Sequence, residues 1–194
     1  AQVIKERIPR TIFALIAGAS LGVSGSLMQS ITRNPIADPG ILGVNTGASL
    51  FVVMGIAFLR IQTKAEYIWL ALLGAALTAV FVYGISTLGR SGTTPLKLAL
   101  SGAAISAAFS SFISLIMLPR TETLNQFRFW QVGSLSGASF DDMKIMSVFL
   151  IPACILAFFL LPYLDAMALG DEMATGLGVH PTFIRLLAAS SAVI

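Results

Sequence analysis

The residue types that usually carry out chemistry are few in this sequence, and they are not grouped. Cys154 is the only cysteine and His180 the only histidine, so neither has a neighbour of these types with which to share a metal ion. Ser24, in the stretch GVSG, has no partner base in any apolar stretch, which argues against nucleophilic catalysis. The phosphate loop G-x-x-x-x-G-K-[ST] is absent. We therefore predict no enzyme activity, no ATPase site, no cofactor and no metal site.

One segment, LDAMALGDEMATGLGVH at residues 164 to 180, places acidic and small residues between two apolar stretches. It holds three of the nine acidic residues of the chain. Its apolar side chains recur at helical spacing, which predicts one apolar stripe. The stripe consists of Ala166, Leu169, Met173 and Leu177.

The glycines of this segment predict two short helices. Gly170 is expected to end the first, and Gly176 and Gly178 to end the second. Asp171 and Glu172 then occupy the first turn of the second helix, where acidic residues complement the helix dipole. Two short helices with an apolar stripe and an acidic tip suit a groove on another protein; a surface connector lying against a bilayer is the alternative.

The elements that must position this segment are long apolar runs. Of the 194 residues, 56% are hydrophobic and 11% are charged, whereas a soluble domain carries about 25% charged residues. The net charge of +3 is scattered, so no nucleic-acid surface is predicted. All 21 charged residues (12 basic and 9 acidic) lie outside five uncharged runs of about 20 residues, the length that crosses a bilayer as a helix. The predicted spans are about 11–32, 41–59, 67–89, 98–119 and 145–164, with a sixth beginning at 186–194.

This partition predicts an all-α membrane protein, a polytopic helical bundle in which residues 1–194 form a single transmembrane domain. Because the chain starts without methionine and stops within an apolar run, we expect it to be a fragment of a longer protein. Small residues, such as Gly18, Gly22 and the stretch SGAAISAAFSS at 101–111, predict close helix packing, with lining of a pore as the alternative. No carboxylate lies within a run, which argues against an ion-coupled carrier.

Several blocks of the sequence resemble one known family. The stretch RIPRTIFALIAGASLGVSGSLMQSITRNPIADPGILGVNTGAS, residues 7–49, resembles the hallmark of the FecCD family of permease subunits in ABC importers of ferric siderophores, haem and vitamin B12. LALSGAAIS (98–106), FWQVGSLSG (129–137) and MALGDEMATGLGV (167–179) match later blocks. The resemblance implies a type II importer permease of about ten helices, of which this chain would hold five and the start of a sixth.

The resemblance also implies a function and partners. We expect a subunit of the cytoplasmic (inner) membrane that moves a metal chelate. Ferric siderophore is the favoured cargo, with haem or cobalamin as alternatives. The partners would be a cytoplasmic ABC ATPase, an extracytoplasmic substrate-binding protein, the bilayer, and a second permease copy or a paralogue. A stand-alone carrier or channel is the competing hypothesis. An ATPase subunit that accompanies this protein would favour the importer.

Matching positions imply roles for particular residues. The segment at 164–180 corresponds to the loop that docks on the ATPase, here Ala166, Leu169, Gly170, Asp171, Glu172, Met173, Leu177 and Gly178. Arg7 and Arg10 correspond to outer arginines that meet carboxylates of the binding protein. A cytoplasmic gate would comprise Thr93, Thr94, Pro95 and Leu96. The translocation path would run beside Ser101, Ser106, Ser110 and Ser114, although each serine could equally bond its own helix backbone.

The charge distribution disagrees with this orientation. If 165–185 is cytoplasmic, then the inner side holds four basic residues: Arg33, Arg90, Lys97 and Arg185. The outer side holds the other eight of the 12, contrary to the positive-inside rule. We give the motif precedence, because the first span, which often dominates orientation, is expected to lie outside this chain.

Overall fold

The computed structural model describes residues 2–88, 95–135 and 138–194, with the backbone alone for 2–6 and for Pro95. Within these ranges the regular structure is entirely helical, which confirms the all-α prediction. The α-helices are α1 (Gln2–Thr32), α2 (Val44–Met54), α3 (Lys64–Ser86), α4 (Pro95–Met117), α5 (Thr121–Val132), α6 (Phe140–Ala168), α7 (Asp171–Gly176) and α8 (Pro181–Val193). A 3₁₀ turn at Pro39–Leu42 precedes α2, and a π-helical turn at Gly55–Leu59 continues it.

Four segments in the described ranges are long and apolar enough to cross a membrane: Arg7–Thr32, Lys64–Ser86, Leu96–Met117 and Phe140–Ala168. Only 11% to 22% of their most apolar windows is buried within the chain. Val44–Leu59 and Pro181–Val193 are shorter apolar helices. Apolar surface on this scale needs lipid or further protein around it. The chain is therefore a multi-pass membrane protein.

Two helices begin earlier than their apolar runs because polar side chains cap them. Thr63 accepts a hydrogen bond from the Glu66 amide (3.3 Å), and the Glu66 carboxylate accepts one from the Thr63 amide (2.8 Å). Ser139 and Asp142 form the same reciprocal pair at the start of α6. Such a capping box satisfies amides that have no partner within the helix. Charged residues therefore fill the first turns of α3 and α6.

The stretch 120–144, which lies between two of the predicted spans, contains a further helix. Thr121–Val132 forms α5, whose buried face is built from Thr123 and Phe127. Trp130 stacks on Phe127 with ring centroids 5.6 Å apart, so it acts as a packing residue. The helix is short and carries charged residues, which is why no uncharged run marks it in the sequence.

The helices are grouped into two compact units. The first comprises Ala1–Asp38 and Ser134–Ile194, and thus contains α1, α6, α7 and α8. The second comprises Pro39–Gly133, with α2 to α5. The single transmembrane domain predicted from the sequence stays a prediction.

In the second unit, glycines allow helix backbones to approach closely. A methyl group added at Gly47 would overlap the side chain of Thr78 and lie 2.8 Å from the Gly74 carbonyl oxygen. One added at Gly102 would overlap the Ile41 carbonyl oxygen. The close packing expected for 101–111 is therefore present at its first turn.

In the first unit, serine hydroxyls join α8 to its neighbours. Ser24 of α1 donates a hydrogen bond to the Ala192 carbonyl, and Ser191 donates one to the Ala153 carbonyl of α6 at 2.8 Å. A methyl group added at Gly18 or Gly22 would meet nothing within 4 Å in the described part of the chain, so the close packing expected there is not found. The buried face of α1 lies instead at Leu27 and Met28.

Candidate functional site

The acid-bearing segment forms one short helix after a long one, not two short helices. α6 runs without interruption to Ala168, so the expected first short helix is its last turns. Gly170 then breaks the helix with a φ of 116°, a backbone conformation that other residues rarely adopt. The prediction of a separate first helix was wrong, because the apolar periodicity of α6 continues without a break into the segment.

The second short helix lies where the glycines placed it. α7 spans Asp171–Gly176, with Asp171 and Glu172 in its first turn. After it, Gly178 has a φ of 81°, and the Val179 amide donates to the Ala174 carbonyl at 2.9 Å. Ala174 and Val179 are buried and hold α7 against the rest of its unit.

The predicted apolar stripe is largely exposed. Leu169, Met173 and Leu177 are 67%, 63% and 65% exposed, whereas Ala166 is half-buried. Glu172 is also exposed. These side chains form what we call the α7 patch: Leu169, Glu172, Met173 and Leu177. Exposed apolar side chains next to polar ones are typical of a surface that another protein or a membrane covers.

Asp171 differs from Glu172 because it is already paired within the chain. Arg33 donates to Asp171 Oδ1 at 2.6 Å and to the Met167 carbonyl at 2.5 Å. Arg185 contacts both carboxylate oxygens, at 3.0 Å to Oδ1 and 2.9 Å to Oδ2. We call Arg33, Asp171 and Arg185 the arginine–aspartate triad. It brings together the end of α1, the junction of α6 and α7, and the second turn of α8.

In the sequence, Arg33 and Arg185 stand out only as charges on one side of the membrane. No local signal links Arg33 to Asp171, because the two are 138 positions apart. Arg185 lies only 14 positions after Asp171, so their nearness in the sequence was a clue to this pair. Only the fold brings all three together.

The remaining predicted residues lie in several places. Arg7 and Arg10 are both exposed on α1, which begins well before the apolar run. On α4, Ser110 and Ser114 are exposed and Ser101 and Ser106 are half-buried.

Two serines of α4 have local contacts that compete with a role in a path. Ser114 donates to the Ser110 carbonyl of its own helix at 2.9 Å. The Ser106 hydroxyl faces Gly43, 2.9 Å from where a methyl group there would lie. The place of these serines beside a translocation path stays a prediction.

The predicted gate falls only partly within the described residues. Thr93 and Thr94 lie outside them, Pro95 is described by its backbone alone, and Leu96 is exposed at the start of α4. Across the described ranges, no three His, Cys, Asp or Glu residues are grouped to hold a metal ion.

These features define the chain as a multi-pass helical membrane protein, and sequence comparison gives its family. The profile of the FecCD transport family matches residues 1–194, and the chain belongs to this family.

Individual relatives agree with the family assignment. The chain is 41% identical over 188 residues to the "Probable siderophore transport system permease protein YfiZ" of Bacillus subtilis (strain 168), which covers 96% of this chain and 56% of that protein. It is 38% identical over 185 residues to the "Ferric enterobactin transport system permease protein FepD" of Escherichia coli (strain K12), which covers 95% and 55%. The chain thus spans about half the length of these relatives.

A solved structure has the same fold. It is described as an inward-facing conformation of an ABC transporter of metal-chelate type, and it matches with a TM-score of 0.76 at 27% identity. The match covers 96% of this chain and 60% of that one. The permease bundle predicted from the sequence is therefore confirmed as the fold.

Proposed function

We propose that this chain is the greater part of a permease subunit in an ABC importer of the cytoplasmic membrane, and that the importer moves ferric siderophore. The observation that carries this proposal is the α7 patch, which presents exposed apolar side chains and one exposed acid at a short helix between α6 and α8. Membership of the FecCD transport family and relatives named for siderophore and ferric enterobactin transport support the cargo.

In the proposed mechanism, this chain carries out no covalent chemistry. A loaded binding protein docks outside, a separate ATPase closes on nucleotide inside, and the movement reaches the bundle through 164–180. The proposed coupling residues are Ala166, Leu169, Gly170, Asp171, Glu172, Met173, Leu177 and Gly178. Ser101, Ser106, Ser110 and Ser114 remain proposed path residues, and Thr93 to Leu96 the proposed gate.

The cargo and the need for an ATPase are tested together in proteoliposomes that contain the intact importer. We expect uptake of radioiron-labelled ferric enterobactin that requires both ATP and the binding protein. Haem and cobalamin are tested in parallel. Uptake of only one of these would contradict the proposed cargo and still support an ABC importer. Uptake by the permease alone, without ATPase or ATP, would contradict the proposal and favour a stand-alone carrier.

Docking of the binding protein is proposed to use Arg7 and Arg10, which are exposed near the start of α1. Charges at a docking surface mainly raise the association rate and set orientation. Reversal of both charges, Arg7→Glu with Arg10→Glu, is expected to lower uptake at limiting chelate by about tenfold through slower association. The measurement is initial uptake rate against binding-protein concentration.

The control is Arg7→Lys with Arg10→Lys, which keeps both charges and is expected to retain most of the rate. The defect should also shrink at saturating binding protein, because only encounter is slowed. Uptake by the doubly reversed variant equal to that of the lysine pair at limiting chelate would contradict a docking role.

A further inference from the structure

We propose that Asp171 is a positioning residue: through Arg33 and Arg185 it fixes α7 to α1 and α8, so that movement of α7 is passed to both of these helices. This inference rests on the proposed function, in which α7 is the element that the ATPase moves. It gives the two neighbouring acids different tasks, since Glu172 belongs to the exposed patch and Asp171 faces the chain itself.

The contacts of Asp171 leave its carboxylate little capacity for a partner protein. Oδ1 accepts from Arg33 at 2.6 Å and from Arg185 at 3.0 Å, and Oδ2 accepts from Arg185 at 2.9 Å. A carboxylate between two guanidinium groups forms charge-assisted hydrogen bonds, which are the stronger and more directional kind. By contrast, Glu172 is exposed and forms no ion pair with any residue that the structure describes.

Arg33 bridges the break between α6 and α7. Its Nη2 atom contacts the Met167 carbonyl, in the last turn of α6, as well as the Asp171 carboxylate in the first turn of α7. Gly170 lies between these two residues, and nothing in the described chain lies within 4 Å of a methyl group added there. The arginine therefore supplies a side-chain link across the break between the two helices.

The backbone of Arg33 is itself unusual. It has a φ of 51° directly after the end of α1, and the Asn34 amide donates to the Gln29 carbonyl at 3.3 Å. This is the arrangement that ends many helices, and glycine is the usual residue at the left-handed position. An arginine held there in a less favourable conformation suggests that its side chain is needed at this point.

The exposure of the triad separates positioning from stability. The side chains of Arg33, Asp171 and Arg185 are 45%, 44% and 34% exposed. Ion pairs with this much contact to water stabilise a fold little. Removing the charge of Asp171 should therefore leave a folded, inserted protein in which α7 is less firmly joined to α1 and α8.

The test uses the intact importer in proteoliposomes, with ATP hydrolysis and uptake of labelled ferric enterobactin (or the substrate that the cargo assay selects) measured together. Asp171→Asn is expected to co-purify with the ATPase subunit as the wild type does. It should transport about tenfold less chelate per ATP hydrolysed, a factor typical of a lost coupling between sites. Asp141→Asn is the matched control: it breaks the exposed Asp141–Lys144 ion pair (2.7 Å) in the first turn of α6, outside the proposed coupling residues, and should keep the wild-type ratio.

Substitutions of the arginines provide a second, independent arm. Arg33→Gln should lower the ratio as Asp171→Asn does, while Arg33→Lys should retain more of it, because the ammonium group keeps a positive charge and hydrogen-bond donors beside the Asp171 carboxylate. This arm leaves the Asp171–Arg185 pair in place, so it carries the test if Asp171→Asn does not accumulate.

Three outcomes would overturn the inference. If Asp171→Asn and Arg33→Gln both transport as much chelate per ATP hydrolysed as the wild type, the triad does not pass movement of α7 to its neighbours. Loss of the ATPase subunit from Asp171→Asn would make Asp171 a contact with the partner. If the wild-type importer retains no ATPase subunit, the proposed function fails as well. That failure is distinguishable because it is seen in the wild type, before any residue is substituted.

Discussion

Replacement of Met173 by aspartate is expected to remove the ATPase subunit from the purified importer and to abolish uptake. Met173 lies near the middle of the α7 patch, is 63% exposed, and has Leu169 and Leu177 as its apolar companions. We expect Met173 to be a hot-spot residue of the interface, and such residues contribute about 2 kcal/mol or more; a carboxylate buried there without a partner adds a further penalty. We therefore expect affinity to fall at least about thirtyfold.

The measurement is co-purification of the two subunits, followed by titration of the ATPase against the permease in detergent. Met173→Leu is the matched control, since it keeps an apolar side chain of similar size and should bind normally. Membrane insertion should be the same for both variants, because Met173 is exposed and supports no internal packing. Equal recovery of the ATPase with aspartate and with leucine would contradict the proposed docking surface.

The same position tests orientation, which charge counting and family resemblance assign differently. Met173→Cys, in a Cys154→Ser background that removes the one cysteine of this sequence, is expected to react with an impermeant maleimide in inside-out vesicles and not in intact cells. Bound ATPase should protect it. Labelling from outside would reverse the orientation and separate the α7 patch from any cytoplasmic partner.

Replacement of Gly102 by valine is expected to prevent the second unit from folding. The added Cβ would overlap the Ile41 carbonyl oxygen and lie 3.0 Å from the Ile41 carbonyl carbon. These are backbone atoms, so no side-chain rotation relieves the overlap, and α4 must move away from the 3₁₀ turn. Overpacking commonly costs about 1–3 kcal/mol, and a clash with backbone should reach or exceed the upper end of that range.

The matched control is Gly84→Val in α3, a helical glycine of the same unit whose added Cβ would meet nothing within 4 Å. Detergent-solubilised protein should show a lower thermal midpoint, or no folded fraction, for Gly102→Val and a midpoint near wild type for Gly84→Val. Equal midpoints for the two variants would mean that the close approach at Gly102 is not required.

Four of the five uncharged runs coincide with helices long and apolar enough to cross a membrane, whereas the run 41–59 forms the shorter apolar helix Val44–Leu59. The agreement follows from a simple local rule: in lipid, about 20 uncharged residues must form a helix that satisfies its own backbone. The rule did not locate helix ends. α1 extends to Gln2 through Arg7 and Arg10, and α3 and α6 begin in charged turns that capping boxes stabilise. The capping pair Thr63–Glu66 was readable as T-x-x-E, whereas α5 left no such signal.

Within the candidate site, α7, its acidic first turn and its apolar residues were predictable from local pattern, because helix periodicity and glycine breaks act over a few residues. The exposure of those residues follows only from how the helices pack. The same is true of the ion pairs that, among the described residues, Asp171 forms and Glu172 does not. The reason is distance along the chain: Arg33 reaches Asp171 across 138 positions, and Ser24 reaches Ala192 across 168. Pairs so far apart meet only after the helices have packed, and no local pattern records which partner each side chain will find.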